Sequence, residues 1–289
     1  MRAFIDYTEK NWPLTRSKPE VIGKIFELIT AAREAAGPEG LYRERIQLII
    51  DYMEPLKGIR EQLKVGRKEN PVAAFAEVDE TDIKLDGRLN ESVWDKTETY
   101  ELKDIVTGED VENGTTFSVA WAGDSLYFGI RCEEPDMDKL AIPAKKSGDL
   151  TLFDGDSVEI LLETPSHAYY QIAIDPKGHV NDLDRPNSIL IGKTGKYKTE
   201  WEAGATVATN RGKNFWSIEA RIPAMGANQE KILADFGVSG DKPTKDRPWY
   251  FNVCRSRKVD MEKRYYSAFS PTGEHGFHYM RGFAKLIPQ

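Results

Sequence analysis

The chain has 289 residues, 40% hydrophobic and 30% charged, enough to bury a full core and to divide into two unequal domains. Its formal net charge of -7 is unevenly spread: residues 1–70 carry 13 Lys+Arg against 11 Asp+Glu, and the remainder 27 against 36. An acidic major part argues against a nucleic-acid partner, and the absence of any run of about 18 apolar residues argues against a membrane span.

The opening residues, M-R-A-F-I-D-Y-T-E-K, lack the apolar centre of a signal peptide. That leaves a cytoplasmic protein or a segment of a longer secreted chain. Ser17, Lys18, Pro19 and Glu20 have the capping-box pattern, in which a hydroxyl and a carboxylate satisfy the free amides of a helix start. Ile22, Ile25, Phe26 and Ile29 follow at helical spacing, and Gly37 with Pro38 stops that helix. Ile46, Ile49, Ile50 and Met53 mark a second amphipathic helix to about Pro55, with a continuation through Ile59 and Leu63. Residues 1–70 therefore predict an α-helical hairpin whose own core is thin, so it is expected to pack on another element. Residues 64–71, K-V-G-R-K-E-N-P, are the expected linker.

From residue 71 to 289 the hydrophobic period becomes that of strands. The segments Ala73–Val78, Thr116–Ala122, Leu126–Cys132, Ser157–Glu163, Tyr169–Asp175, Lys198–Thr209, Phe215–Ile222, Trp249–Ser256 and Arg264–Phe269 alternate, and turn signals such as Asp86 with Gly87 and Arg211 with Gly212 separate them. Many short strands without long intervening helices predict a mainly β fold, an antiparallel β-sandwich. Residues 224–247 read as one long excursion, and Trp94, Trp121 and Tyr127 as core.

Residues 153–175 carry the clearest chemical signal. Asp156, Ser157, Glu159 and Gln171 alternate with Val158, Ile160, Leu162, Ile172 and Ile174, so one face builds a core and the other presents hydrogen-bonding groups. Phe153 stands at the mouth of this strand pair, and a flat ring beside carboxylate and amide acceptors suits a sugar. Cys132 and Cys254 lie in strand-like runs, where buried free thiols and a disulfide are both open. His275 and His278 would share a metal only if a turn joined them.

The ordered motifs D-G-x-L-N-E-x-x-W, W-x-x-x-x-L-Y-F, D-G-D-S-V-E-I, Y-Y-Q-I-A-I-D-P-x-G, W-S-I-E-A-R-I-P, F-N-V-C-R-S-R and a terminal G-F-A-K-L resemble carbohydrate-binding module family 9 over about residues 75–289. The preceding helices are similar to the tail before such modules in large secreted bacterial proteins with glycoside-hydrolase-like cores. The resemblance implies a saccharide ligand held between two rings, here Phe153 and Phe277, over polar groups, here Glu159 and Gln171. Both rings are Trp in the sugar-binding members. The basic residue expected two positions after Gln171 is Ala173, and Asp175 stands where an Asn would be. Tyr169, Tyr170, Arg255, Arg257 and His278 are further candidates, with core packing or ion pairing as the alternative for each.

No cofactor is implied; a structural calcium stays open, with the acidic stretches Glu133–Asp138 and Asn181–Asp184 as candidates. Non-catalytic carbohydrate binding in support of a polysaccharide-degrading enzyme, encoded upstream in the parent chain, is the leading function. An accessory that has lost its ligand is the alternative, and a glycosidase is disfavoured because Asp156 and Glu159, three apart on a strand, point to opposite faces. Family habit implies an extracellular or periplasmic location.

Overall fold

The computed structural model describes residues 1–12, 15, 19–65, 70–165, 167–185, 200–226, 236–259, 263–273 and 276–289. These fall into two compact units, Met1–Glu69 and Asn70–Gln289. Among the described residues of the first, four helices rather than a hairpin form: α1 (Arg2–Asn11), α2 (Pro19–Ala35), α3 (Leu41–Met53) and α4 (Pro55–Val65). Pro55 explains the added break, because it has no N–H to continue α3 and its fixed φ suits the first position of α4. Ile22, Ile25 and Ile29 of α2 are fully buried against Ile46, Ile50 and Met53 of α3, Leu56 of α4 and Phe4 of α1. Ile49 instead faces outward. The capping residues Ser17 and Lys18 and linker residues 66–69 lie outside the described residues.

Among the described residues, the second unit is built on thirteen strands. They are β1 (Val72–Glu77), β2 (Tyr100–Glu101), β3 (Lys103–Asp104), β4 (Thr115–Ala122), β5 (Ser125–Glu133), β6 (Ser157–Thr164), β7 (His167–Ile174), β8 (Val180–Asp184), β9 (Thr206–Arg211), β10 (Phe215–Pro223), β11 (Trp249–Val259), β12 (Lys263–Ala268) and β13 (Ala284–Pro288). The main path runs β8-β7-β6-β11-β13-β1-β4-β5-β10-β9, with β12 beside β11. The pairing is antiparallel except at β1, which is parallel to both β13 and β4. Thus β1 joins two halves whose inner faces meet. Phe117 is edge-on to Phe251 and Phe269, with centroids 5.9 and 5.0 Å away, and Trp121 is edge-on to Trp249 at 5.9 Å. Both cysteines are free and buried, and burial pushes the Cys132 thiol up to about 11.

Two departures from the sequence pattern bear on function. First, β8 forms where an acidic loop was expected, because both of its carboxylates find partners: Asp182 accepts the Ala203 N–H and Asp184 holds the His167 ring. Second, β6 is buried along its whole length, on both faces. Its inner residues Val158, Ile160 and Leu162 join the main core, while Leu161, Tyr169, Cys254, Phe277, Met280 and Phe283 make a second apolar cluster over the outer face. The strand pair is therefore not half solvated. The chain after β12 folds over it, and the space left beneath that cover is the cavity described next.

Candidate functional site

In the β6–β7 ladder Glu159 stands opposite Ala173, and Leu161 opposite Gln171. On the other side Glu159 faces Cys254 of β11, which in turn faces Ala268 of β12. Glu159 thus rises from a row of small side chains, Ala173, Cys254 and Ala268, which leaves open space above the sheet at this point. The space is a cavity of about 710 Å³. Its walls include Phe153 from the short 3-10 turn Leu150–Asp154, Phe277 and His278 from the chain after β12, Tyr266 of β12, and Ile105, Val106 and Leu150. Phe277 meets Tyr266 edge-on at 5.4 Å, and His278 stacks over Tyr169 at 6.2 Å with its Nδ1 3.2 Å from the Tyr169 hydroxyl.

The polar floor is a relay. Arg185 Nε donates to Gln171 Oε1 at 2.7 Å, and Gln171 Nε2 donates to Glu159 Oε2 at 2.7 Å. A guanidinium only donates and a carboxylate only accepts, so this order fixes the orientation of the amide between them. Burial pushes the Glu159 carboxyl up to about 7; donation from Gln171 and the charges of Arg185 and Arg264 pull in the opposite direction. Burial also lowers the His278 imidazole to about 4, so it is neutral at physiological pH. The site can therefore offer an apolar wall, a fixed amide and guanidinium, and one carboxyl with both protonation states accessible near neutrality.

A family model, carbohydrate family 9 binding domain-like, matches residues 85–244. The chain belongs to this family. Its domains are non-catalytic binding modules. A crystal structure from Bacteroides uniformis ATCC 8492, of a protein whose carbohydrate binding is inferred, is 15% identical, covers 76% of this chain and 100% of its own, and superposes with a TM-score of 0.56. A family 9 module from Caldicellulosiruptor kristjanssonii in complex with glucose is 13% identical, covers 74% and 95%, and has a TM-score of 0.48. The same organism's module in complex with cellotriose gives 13%, 74%, 94% and 0.44. No curated protein matches the chain.

Five of the residues singled out in the sequence share the cavity: Phe153, Glu159, Gln171, Phe277 and His278. Others do not line it. Tyr170 points into the main core between His167 and Trp201, with centroids at 4.4 and 4.5 Å. Asp175 closes its own turn by accepting the Lys177 and His179 N–H groups and holding the His179 ring at 2.8 Å. Arg255 lies on the core face, buried, donating to Asn113 O, Thr115 Oγ1 and Glu133 O and pairing with Glu134 at 3.2 Å. Arg257 pairs with the same Glu134 at 2.7 Å. Asp156, the second carboxylate a hydrolytic pair would need, accepts the Ala141 and Lys258 N–H groups at 2.8 and 3.1 Å and serves the backbone.

The sequence reading missed Arg185, Arg264, Tyr266 and Ser256, all of which line the cavity. Arg185 continues the alternation of β8 one step beyond Asp184, and Leu183 in that alternation sits opposite Gln171. The signal was present but hidden by Asn181, Asp182 and Asp184, residue types that strands disfavour. The calcium loops do not fit their ion: Glu134 is held by two arginines, Asp136 by Lys139, and Asp182 and Asp184 by protein donors. Among the described residues one triad of carboxylates converges, Asp86, Glu91 and Glu219. Glu219 there accepts the Asp86 and Gly87 N–H groups and Trp94 Nε1 at 2.8, 2.7 and 3.0 Å, tying down the Asp86–Gly87 turn. His275 lies outside the described residues.

Proposed function

We propose that the Asn70–Gln289 unit binds a saccharide in the cavity above Glu159. The observation that carries this reading is the Arg185–Gln171–Glu159 relay at the base of a cavity flanked by Phe153 and Phe277. A pyranose has an apolar C–H face and an equatorial belt of hydroxyls. Stacking the former on a ring removes it from water, while convergent donors and acceptors fix the latter. Phe153, half-buried against Ala144, Leu152 and Ala173, presents the more open ring. Glu159 accepts from one hydroxyl, and Arg185 with the Gln171 amide addresses its neighbour. Family membership supports the same reading.

The volume of about 710 Å³ suits one or two sugar units rather than an extended chain, which favours recognition of a chain end. A non-catalytic domain with such a site serves to hold a larger enzyme on its polymer, and we infer that role here, outside the cytoplasm where such polymers lie. A glycan array followed by calorimetry on the hits, with and without calcium, tests the reading. Binding at micromolar to millimolar strength that Phe153→Ala abolishes supports it. Silence across the array supports instead an accessory whose cavity has been closed to ligand by the packing of Phe277.

A further inference from the structure

The cavity belongs to an acidic protein, yet its described lining is rich in cationic groups. Two guanidiniums, Arg185 from the end of β8 and Arg264 from β12, flank it, and Glu159 is its one carboxylate among the described lining residues. Arg264 donates to Asp154 O at 2.6 Å and approaches the Tyr266 hydroxyl at 3.4 Å. Among the described residues it has no carboxylate within ion-pair distance, unlike Arg255, Arg257 and Arg131, each of which has one. Its hydrogen bonds to a backbone and a phenol oxygen do not neutralise its charge.

A guanidinium in a partly desolvated pocket prefers an anion to a hydroxyl, because a charge-assisted bond is about twice as strong as a neutral one and a carboxylate accepts two parallel N–H donors. A neutral sugar would use Arg185 and Gln171 but leave the charge of Arg264 unanswered. We propose that the saccharide is acidic, a uronic acid unit whose carboxylate lies against Arg264 while its ring rests on Phe153. This inference rests on the saccharide reading above and specifies its ligand class.

Glu159 adds a signature of opposite sign for the two kinds of ligand. The groups that face it are Gln171 and Tyr169 from β7, Arg185 from the end of β8, Cys254 from β11, Arg264 from β12, and His278. Of these, none but Glu159 itself changes charge between about pH 6 and pH 8, since Tyr169 is raised to about 12, Cys254 is raised well above its usual value and His278 is lowered to about 4. As pH rises across that window Glu159 ionises. A uronate is then repelled and binds more weakly, whereas a neutral sugar gains an acceptor and binds more strongly.

The test is calorimetric titration of the full chain with matched oligosaccharides: uronides, their neutral counterparts, and sulfated counterparts. The expected result is at least tenfold tighter binding of the uronide at low salt, tightening further from about pH 8 to pH 6. Arg264→Gln should remove that preference, and Arg264→Lys should restore part of it. Equal or tighter binding of the neutral sugar overturns the inference and leaves the saccharide reading standing. Preference for the sulfated sugar over the uronide also overturns it, since a tetrahedral anion is then the ligand. No binding of any of the three overturns both.

Discussion

Replacing Glu159 by Gln should make the protein more stable relative to the parent at alkaline pH. The carboxyl is 6% exposed and is raised from 4.5 to about 7, with burial the largest cause. A raised folded-state value means that the fold binds the proton more tightly than the unfolded chain does. The associated stability is complete below about pH 4.5 and is lost as pH rises through about 7. At about 1.36 kcal/mol per unit the full loss is roughly 3 kcal/mol, of which ~2 kcal/mol falls between about pH 5.5 and pH 8.5. Gln has the same shape, its Oε1 still accepts from Gln171 Nε2, and it has no charge to desolvate. Other titrating groups act equally on both proteins and cancel in the difference. Urea unfolding followed by tryptophan fluorescence suits the measurement, because Trp94, Trp121, Trp201, Trp216 and Trp249 all lie in the β unit. The stability of the variant relative to the parent should rise by ~2 kcal/mol from about pH 5.5 to pH 8.5. Parallel pH dependence of the two proteins would refute the reasoning, since it would mean that Glu159 is solvated and the cavity floor is open to water.

Phe153→Ala should cost at least tenfold in saccharide affinity by calorimetry with little loss of stability, whereas Phe277→Ala should also destabilise by about 3 kcal/mol, because Phe277 is 8% exposed within the outer apolar cluster. Glu134→Gln should destabilise by roughly 3 kcal/mol in urea unfolding, through buried Arg255 and half-buried Arg257, which it leaves unbalanced, without altering ligand affinity. Cys132 and Cys254 should resist a thiol reagent in the native protein and both react in urea, since burial raises both thiols; fast native labelling would contradict their placement in the core.

The alternation of Val158, Ile160 and Leu162 with Ser157, Glu159 and Leu161 was sufficient to place β6, β7 and the Glu159–Gln171 pair, because a strand has one period and a fixed consequence for which residues share a face. The same reasoning mistook the outer face for a solvated one. Burial of that face depends on Phe277, Met280 and Phe283 folding back from more than a hundred residues away, and no local pattern encodes such a return. Tyr170 and Arg255 were misassigned for a related reason. Each lies on a correctly identified strand, but with parity opposite to that of Gln171 and Glu159, so the register sends it into the core. Applying parity to Tyr170 and Gln171, adjacent in sequence, would have excluded one of them. Arg185 and β8 stayed hidden because Asn and Asp normally argue against a strand, and the partners of Asp182 and Asp184, Ala203 and His167, offset that tendency here. The α3–α4 break was legible in Pro55 itself, whereas α1 has a single buried apolar residue, Phe4, too little for a periodic signal.

The central claim is that the cavity over Glu159 is where sugar binds. A heteronuclear NMR titration with a saccharide tests it most directly, because the side-chain N–H groups of Gln171 and Arg185 report from the cavity floor. The account predicts that these signals, with the backbone amides of Phe153, Ala173 and Phe277, shift together and saturate at one affinity. Saturable shifts confined to another surface of the β unit, or no shifts with any saccharide, would contradict it.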